Sequence, residues 1–230
     1  MKSVGIIGGL GPETTAQFYL EVIFRCQKLN ATQRPSIIIG SVPLEFHIER
    51  DLILRNKGID RYIPYLVEQA QQLERSGVDF IVMPCNSLHV FIDDIRKSVS
   101  IPVLSIVEET VKYALNNNIQ NLGLISTSTT LLNKVYETEL DASNIQFISP
   151  QEGDLSRINE IIERLVTGDH REEDKQYLVD ISETLAYEGA QAVALACTDL
   201  QLLKPLSDTV EIFDTMKVLA DSTVEYILND

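Results

Sequence analysis

The sequence predicts an α/β protein of two pseudo-symmetric lobes, each a mostly parallel sheet flanked by helices, with a site between them. Three observations carry that reading. Short apolar runs alternate with stretches of helical length and pattern along the whole chain, the order expected of parallel sheets covered by helices. The order of elements then starts again near residue 118. Finally, Cys85 and Cys197 stand at equivalent strand ends, 112 residues apart.

The elements follow in order. "SVGIIG" (3–8) reads as a short buried strand and "PETTAQFYLEVIFRCQKLN" (12–30) as a helix. Pro12 suits its first turn, where a missing N–H costs nothing. "SIIIGS" (36–41) is the second strand, and "LEFHIERDLILRN" (44–56) reads as loop plus a short helix. "RYIPYLVEQAQQLERSG" (61–77) is a helix closed by Gly77, the residue that most easily takes the left-handed cap. Then come a strand (78–84), a helix (87–99), the strand "IPVLSI" (101–106) and a helix (107–118).

The second half repeats this plan. "NLGLIST" (121–127) matches the opening strand, and "YLVDISETLAYEG" (177–189) matches the 61–77 helix. Gly189 precedes Cys197 by eight residues, as Gly77 precedes Cys85, and Leu73 and Leu185 share the offset of 112. "VEIFDT" is the counterpart of "IPVLSI", and "MKVLADSTVEYIL" (216–228) that of the 107–118 helix. A repeat this long is no solenoid unit and implies two similar lobes. The expected division is 1–117 and 118–230, with the C-terminal helix free to cross back to the first lobe.

Composition narrows the partners. With 19 basic against 34 acidic residues the net charge is −15, which repels nucleic acid and anionic membranes. An anionic substrate would need a locally positive pocket. No apolar run approaches the ~18 residues of a membrane span. The opening "MKSVGIIGGLGPE" meets Gly, Pro and Glu too soon for a signal peptide. Three widely spaced cysteines make no disulfide framework. A cytoplasmic protein with reduced thiols is expected.

One cysteine at a strand end is ordinarily just packing. Two at equivalent places in a duplicated chain ask for more, because ligands of open parallel sheets bind beyond the carboxyl ends of strands. Each cysteine also precedes a helix start, whose amides and dipole favour a thiolate. There is no CxxC pair for a redox couple, and Cys85, His89 and Cys197 fall short of the usual zinc set of about four ligands. A Cys85/His89 hydrolase stays open but leaves Cys197 without a task. The pair makes best sense with a substrate carbon between the thiols. One would remove a proton from one face and the other deliver a proton to the opposite face, which inverts a stereocentre. Such thiols titrate together.

"GIIGGLGP", "MPCNSLH" and "ACTDL", in this order and spacing, resemble the aspartate/glutamate racemase family over essentially the full chain. The resemblance implies catalysis without pyridoxal phosphate, metal or other cofactor, an amino acid as the small-molecule partner, and a homodimer. It casts Cys85 and Cys197 as the acid/base residues, with Asn86, Ser87 and Thr198 holding the substrate. Leu10 and Gly11 of the Gly-rich loop, and Thr127 and Thr130 of "STSTT" (126–130), would close around it. Arg50 matches a family arginine that recognises a side-chain carboxylate, which implies aspartate or glutamate. Ser87 replaces the family's threonine, and Ala196-Cys197-Thr198-Asp199 replaces Gly-Cys-Thr-Glu. Aspartate-specific relatives carry a lysine where this chain has Leu165, Val166 and Thr167, which loosens the expected specificity. A non-catalytic binding protein or a sister isomerase on the same scaffold are the alternatives.

The remaining features weigh less. A dinucleotide fingerprint fails because, from Gly9 and Gly11, the third glycine position is Thr14. Cys26 falls among apolar residues and reads as core. His47 and His170 have no partner suggested by spacing, His89 reads as either site support or structure, and "REED" (171–174) as a helix start facing water.

Overall fold

In the computed structural model, which describes residues 1–30, 32–45, 47–48, 51–52 and 57–229, the chain builds two four-stranded parallel sheets. The first contains β1 (Val4–Gly8), β2 (Ile37–Ser41), β3 (Phe80–Val82) and β4 (Val103–Leu104), in the order β2-β1-β3-β4. The second contains β5 (Asn121–Ser126), β6 (Gln146–Ile148), β7 (Ala192–Ala196) and β8 (Glu211–Asp214), in the order β6-β5-β7-β8. The two orders are the same pattern moved on by four strands. Register agrees too: Gly5 lies opposite Ile81, and Gly123 opposite Val193.

Helices α1 (Pro12–Leu29), α2 (Ile63–Arg75), α3 (Ile92–Ser98) and α4 (Ile106–Asn116) connect the first sheet and lead out of it. The second half carries α5 (Ser128–Leu132), α6 (Glu137–Ala142), α7 (Glu152–Val166), α8 (Glu172–Tyr187) and α9 (Thr215–Leu228). Gly77 and Gly189 close α2 and α8 at φ of 80° and 111°. A side chain there would be strained, and this is why the repeat is so plainly marked in sequence.

Strand residues alternate between two faces, so each sheet has two cores to fill. Ile7 and Ile81 pack outward with Leu66, Leu73 and Ile95 in a core private to the first half. Val193 and Leu195 do the same with Ile161, Leu178 and Leu185 in the second. The opposite faces share one core: Val4, Ile6 and Val82 from the first sheet, and Leu122, Leu124 and Ala194 from the second. Phe18, Val111, Leu140, Met216 and Val224 from the intervening helices fill it. Helix α9 packs on α1 and α4, and the Lys2 amide donates to the Ile227 carbonyl at 2.9 Å.

Three local expectations are corrected. The 87–99 helix is a 3-10 turn, Ser87–Phe91, followed by the short α3, because the His89 amide bonds Asn86 three residues back. The 61–77 helix likewise opens on a 3-10 turn, Ile59–Tyr62, ahead of Pro64. Helix α8 starts at Glu172 and does not turn all its acids to water. Asp174 is 1% exposed and takes two hydrogen bonds from Arg164 of α7, at 2.9 and 2.6 Å. Among the described residues no helix is long and apolar enough to cross a membrane, and Cys26, Cys85 and Cys197 form no disulfide, with Cys26 in the shared core.

Asp214 caps α9, its Oδ1 accepting the Met216 amide at 2.8 Å, while its buried Oδ2 has no partner among the described residues. Burial pushes its carboxyl up from 3.8 to about 6. Above pH 6 the folded chain therefore holds a costly buried charge, and as pH falls through 6 toward 3.8 it takes up a proton that the unfolded chain does not yet bind. Asp214→Asn keeps the capping oxygen and removes the charge. It should raise the unfolding free energy by about 2 kcal/mol at pH 8, a gain that fades as pH falls below 6. Urea titrations across pH 4–8 check this, and an unchanged stability at pH 8 would count against it.

Candidate active site

β3 and β7 lie at the centre of their sheets, and each delivers a cysteine just beyond its carboxyl end. Both chains then enter tight turns, Ser87–Phe91 and Leu200–Leu203. The two strand ends open onto one shared cavity. Leu10, Gly11, Cys85, Asn86 and Ser87 line it from the first half, and Thr127, Cys197, Thr198 and Asp199 from the second. Leu52, Tyr62, Leu88, Ile162 and Val166 form an apolar wall.

Of the residues singled out in sequence, Thr130 stands behind the wall. Its hydroxyl lies 3.0 Å from Ser87 Oγ and 3.0 Å from Thr127 Oγ1. Ser87 Oγ also lies 2.9 Å from Thr127 Oγ1, so three hydroxyls tie the first half to the start of α5. Arg50 lies outside the described residues.

Cys197 is 6% exposed, and Cys85 is half-buried. Burial, and then the nearby Asp199 carboxylate, push the Cys197 thiol well above its usual range. The Asp199 and Leu200 amides and the Cys85 sulfur also bear on it, the amides lowering and the sulfur raising. The expected thiolate at this position is thus corrected: desolvation outweighs the amides, and Cys197 rests as a thiol. Its sulfur is 3.8 Å from Asp199 Oδ2. Asp199 Oδ1 lies 3.4 Å from Thr14 Oγ1 of α1, across the join between the halves. Gly11 makes room for this approach, since a Cβ there would stand 2.7 Å from Asp199 Oδ1.

His89 is not the base of a Cys/His pair. Its Nδ1 lies 2.6 Å from the Cys85 carbonyl oxygen, and its Nε2 accepts the Ile106 amide at 3.0 Å. That sets the tautomer, with the proton on Nδ1. Burial holds the ring's pKa down to about 4, so it stays neutral at pH 7. The imidazole fastens the Cys85 backbone to the first amide of α4, and the hydrolase option falls with it.

Asn86 is 1% exposed. Its Oδ1 accepts from the Tyr136 hydroxyl, and its Nδ2 donates to Thr215 Oγ1 at 3.1 Å. One amide hydrogen is left for any other partner, so most of its capacity goes to clamping the halves together beside Cys85. Thr215 also donates to the Leu195 carbonyl at 2.9 Å. His170, expected to lack a partner, lies 3.3 Å from Glu13 at the start of α1. His47 lies 3.3 Å from Glu45 on the surface. Sequence reasoning did not assign Asp199, Tyr136, Thr215 or the apolar wall. Asp199 carried a signal through its place in "ACTDL", and Val166 of the wall through the lysine that aspartate-specific relatives carry there.

A duplicated α/β scaffold that brings one strand-end thiol from each half to a common cavity defines the class of protein. The profile of the Asp/Glu/Hydantoin racemases matches residues 7–223, and the chain belongs to that family. It is 30% identical over 230 residues to the broad specificity amino-acid racemase RacX of Bacillus subtilis (strain 168), covering 98% of each chain. Among solved structures, a Yersinia pestis protein assigned to the Asp/Glu racemases superimposes with a TM-score of 0.84 at 27% identity, over 100% of both chains. An aspartate racemase homologue from Pyrococcus horikoshii OT3 gives 0.79 at 26% identity, again over 100% of both.

Proposed function

We propose that the protein is a cofactor-independent amino-acid racemase that inverts Cα by moving protons to and from Cys85 and Cys197. The observation that carries this reading is the pair of thiols, one from each half, lining a single cavity. Cys85, the more open of the two, acts as a thiolate base and takes the Cα proton. Cys197, held protonated by burial, gives its proton to the opposite face. The step leaves a thiol at Cys85 and a thiolate at Cys197, the form that handles the other enantiomer. The hydroxyls of Ser87, Thr127 and Thr198 and the neighbouring backbone hold the amino acid in place.

A second reading narrows the substrate to aspartate or glutamate. It draws on the family and on Arg50 as the partner of a side-chain carboxylate. The test of the common activity is incubation of the purified protein in deuterated water with single L- and D-amino acids, without added pyridoxal phosphate and after chelation. Each active substrate should give the opposite enantiomer with deuterium at Cα. Failure of every amino acid to exchange would refute the racemase reading.

A further inference from the structure

The hydrogen bonds behind Asn86 have a direction. The Thr215 hydroxyl has one proton, and it goes to the Leu195 carbonyl at 2.9 Å rather than to Asn86 Oδ1 at 3.5 Å. Toward Asn86 Nδ2, at 3.1 Å, Thr215 therefore acts as an acceptor. That puts the amide nitrogen of Asn86 on the Thr215 side and its oxygen on the Tyr136 side, where it accepts from the phenol. Exchanging the oxygen and nitrogen would set two acceptors against each other at Thr215. Thr215, Asn86 and Tyr136 are only 0, 1 and 2% exposed, so water cannot relieve such a clash. Asn86 also lines the cavity beside Cys85. Its second amide hydrogen has no acceptor among the described residues, and a fixed N–H donor suits an anionic oxygen. Every amino acid brings one in its α-carboxylate, and the negative charge left when Cα loses its proton spreads onto that group. The reversed amide would present a carbonyl oxygen and repel it.

Resting on the racemase reading above, we propose that Thr215 and Tyr136 are positioning residues, which lock the Asn86 carboxamide so that an N–H, and not the C=O, faces the substrate's α-carboxylate. Neither residue lines the cavity, so both act through Asn86: Thr215 sets the direction and Tyr136 holds the oxygen. The orientation is read by NMR on the intact protein. Nuclear Overhauser contacts should place the Asn86 amide protons, identified by their loss in Asn86→Ala, nearer Thr215 than the Tyr136 ring. The reverse would overturn the proposal. The consequence is read from Cα deuterium exchange with the amino acids that the unmutated protein turns over, at a temperature where circular dichroism shows every variant folded. Tyr136→Phe and Thr215→Val should each lower kcat/KM about threefold to tenfold, the worth of one buried hydrogen bond. Thr215→Ser, which keeps the hydroxyl, should recover most of the loss. With Asn86→Ala already present, Tyr136→Phe and Thr215→Val should each cost less than about twofold more, because no amide is left to hold. Unchanged kcat/KM in both variants, or equal losses with and without Asn86, would leave Tyr136 and Thr215 as packing partners only and overturn the proposal. No exchange by the unmutated protein would remove the racemase reading itself, while the NMR contacts would still decide which way the amide faces.

Discussion

Cys85→Ser and Cys197→Ser are each expected to abolish racemisation, with kcat falling by at least ~10³, within the span ascribed to a positioned acid or base. Serine keeps the shape of the site, but its hydroxyl ionises far above any working pH and so fails as a base. The informative result is what survives. Cys197→Ser retains the Cys85 base and should still wash the Cα hydrogen of one enantiomer into solvent without inverting it. Cys85→Ser should do so, if at all, for the opposite enantiomer. Chiral chromatography and mass spectrometry in deuterated water separate exchange from inversion. Near-normal racemisation by Cys197→Ser would rule out a two-base mechanism, whatever the family.

The second large effect is expected at Asn86. Its carboxamide joins Tyr136 and Thr215 in the second half, inside a fully packed region. Asn86→Ala would leave the Tyr136 hydroxyl, at 2% exposure, without this partner and open a small void beside it. The Tyr136 hydroxyl keeps the Thr110 and Thr215 side chains as partners, so the loss is that of one buried hydrogen bond, about 1 kcal/mol, and the void adds to that. A loss of about 1–3 kcal/mol in unfolding free energy is therefore expected. Thr215 suffers less because it keeps the Leu195 carbonyl. Pairing Asn86→Ala with Tyr136→Phe in a double-mutant cycle should show coupling of at least ~1 kcal/mol. Strictly additive losses would mean the clamp does not join the halves.

Much of this fold was legible in the sequence because it is written twice. The helix-closing glycines and the strand-end cysteines repeat at one offset, and Gly5 and Gly123 meet their partners in the same register. Repetition gave local signals the weight that a single copy lacks. The clamps around the site were not legible, because their partners lie far apart in the chain. Asn86 meets Thr215 across 129 residues, and Thr14 meets Asp199 across 185. The state of Cys197 was misjudged for a related reason. Its place before a turn is visible in sequence, but the depth at which it is buried depends on the packing of the whole second half. His89 shows the same limit: its four-residue spacing from Cys85 is local, while the Ile106 amide that takes its other nitrogen is set by where α4 begins.

Helix α9 is built from Thr215–Leu228 yet packs on α1 and α4, and its side chains help fill the core beneath β1 and β3. During synthesis this means that the first half emerges with an uncovered oily face, and that the segment which covers it is made almost last. Val4, Ile6 and Val82 must wait for Met216 and Val224. The two halves thus resemble each other without being separable: neither can finish folding ahead of its twin, and the newborn first half is the part of the molecule most exposed to sticking elsewhere.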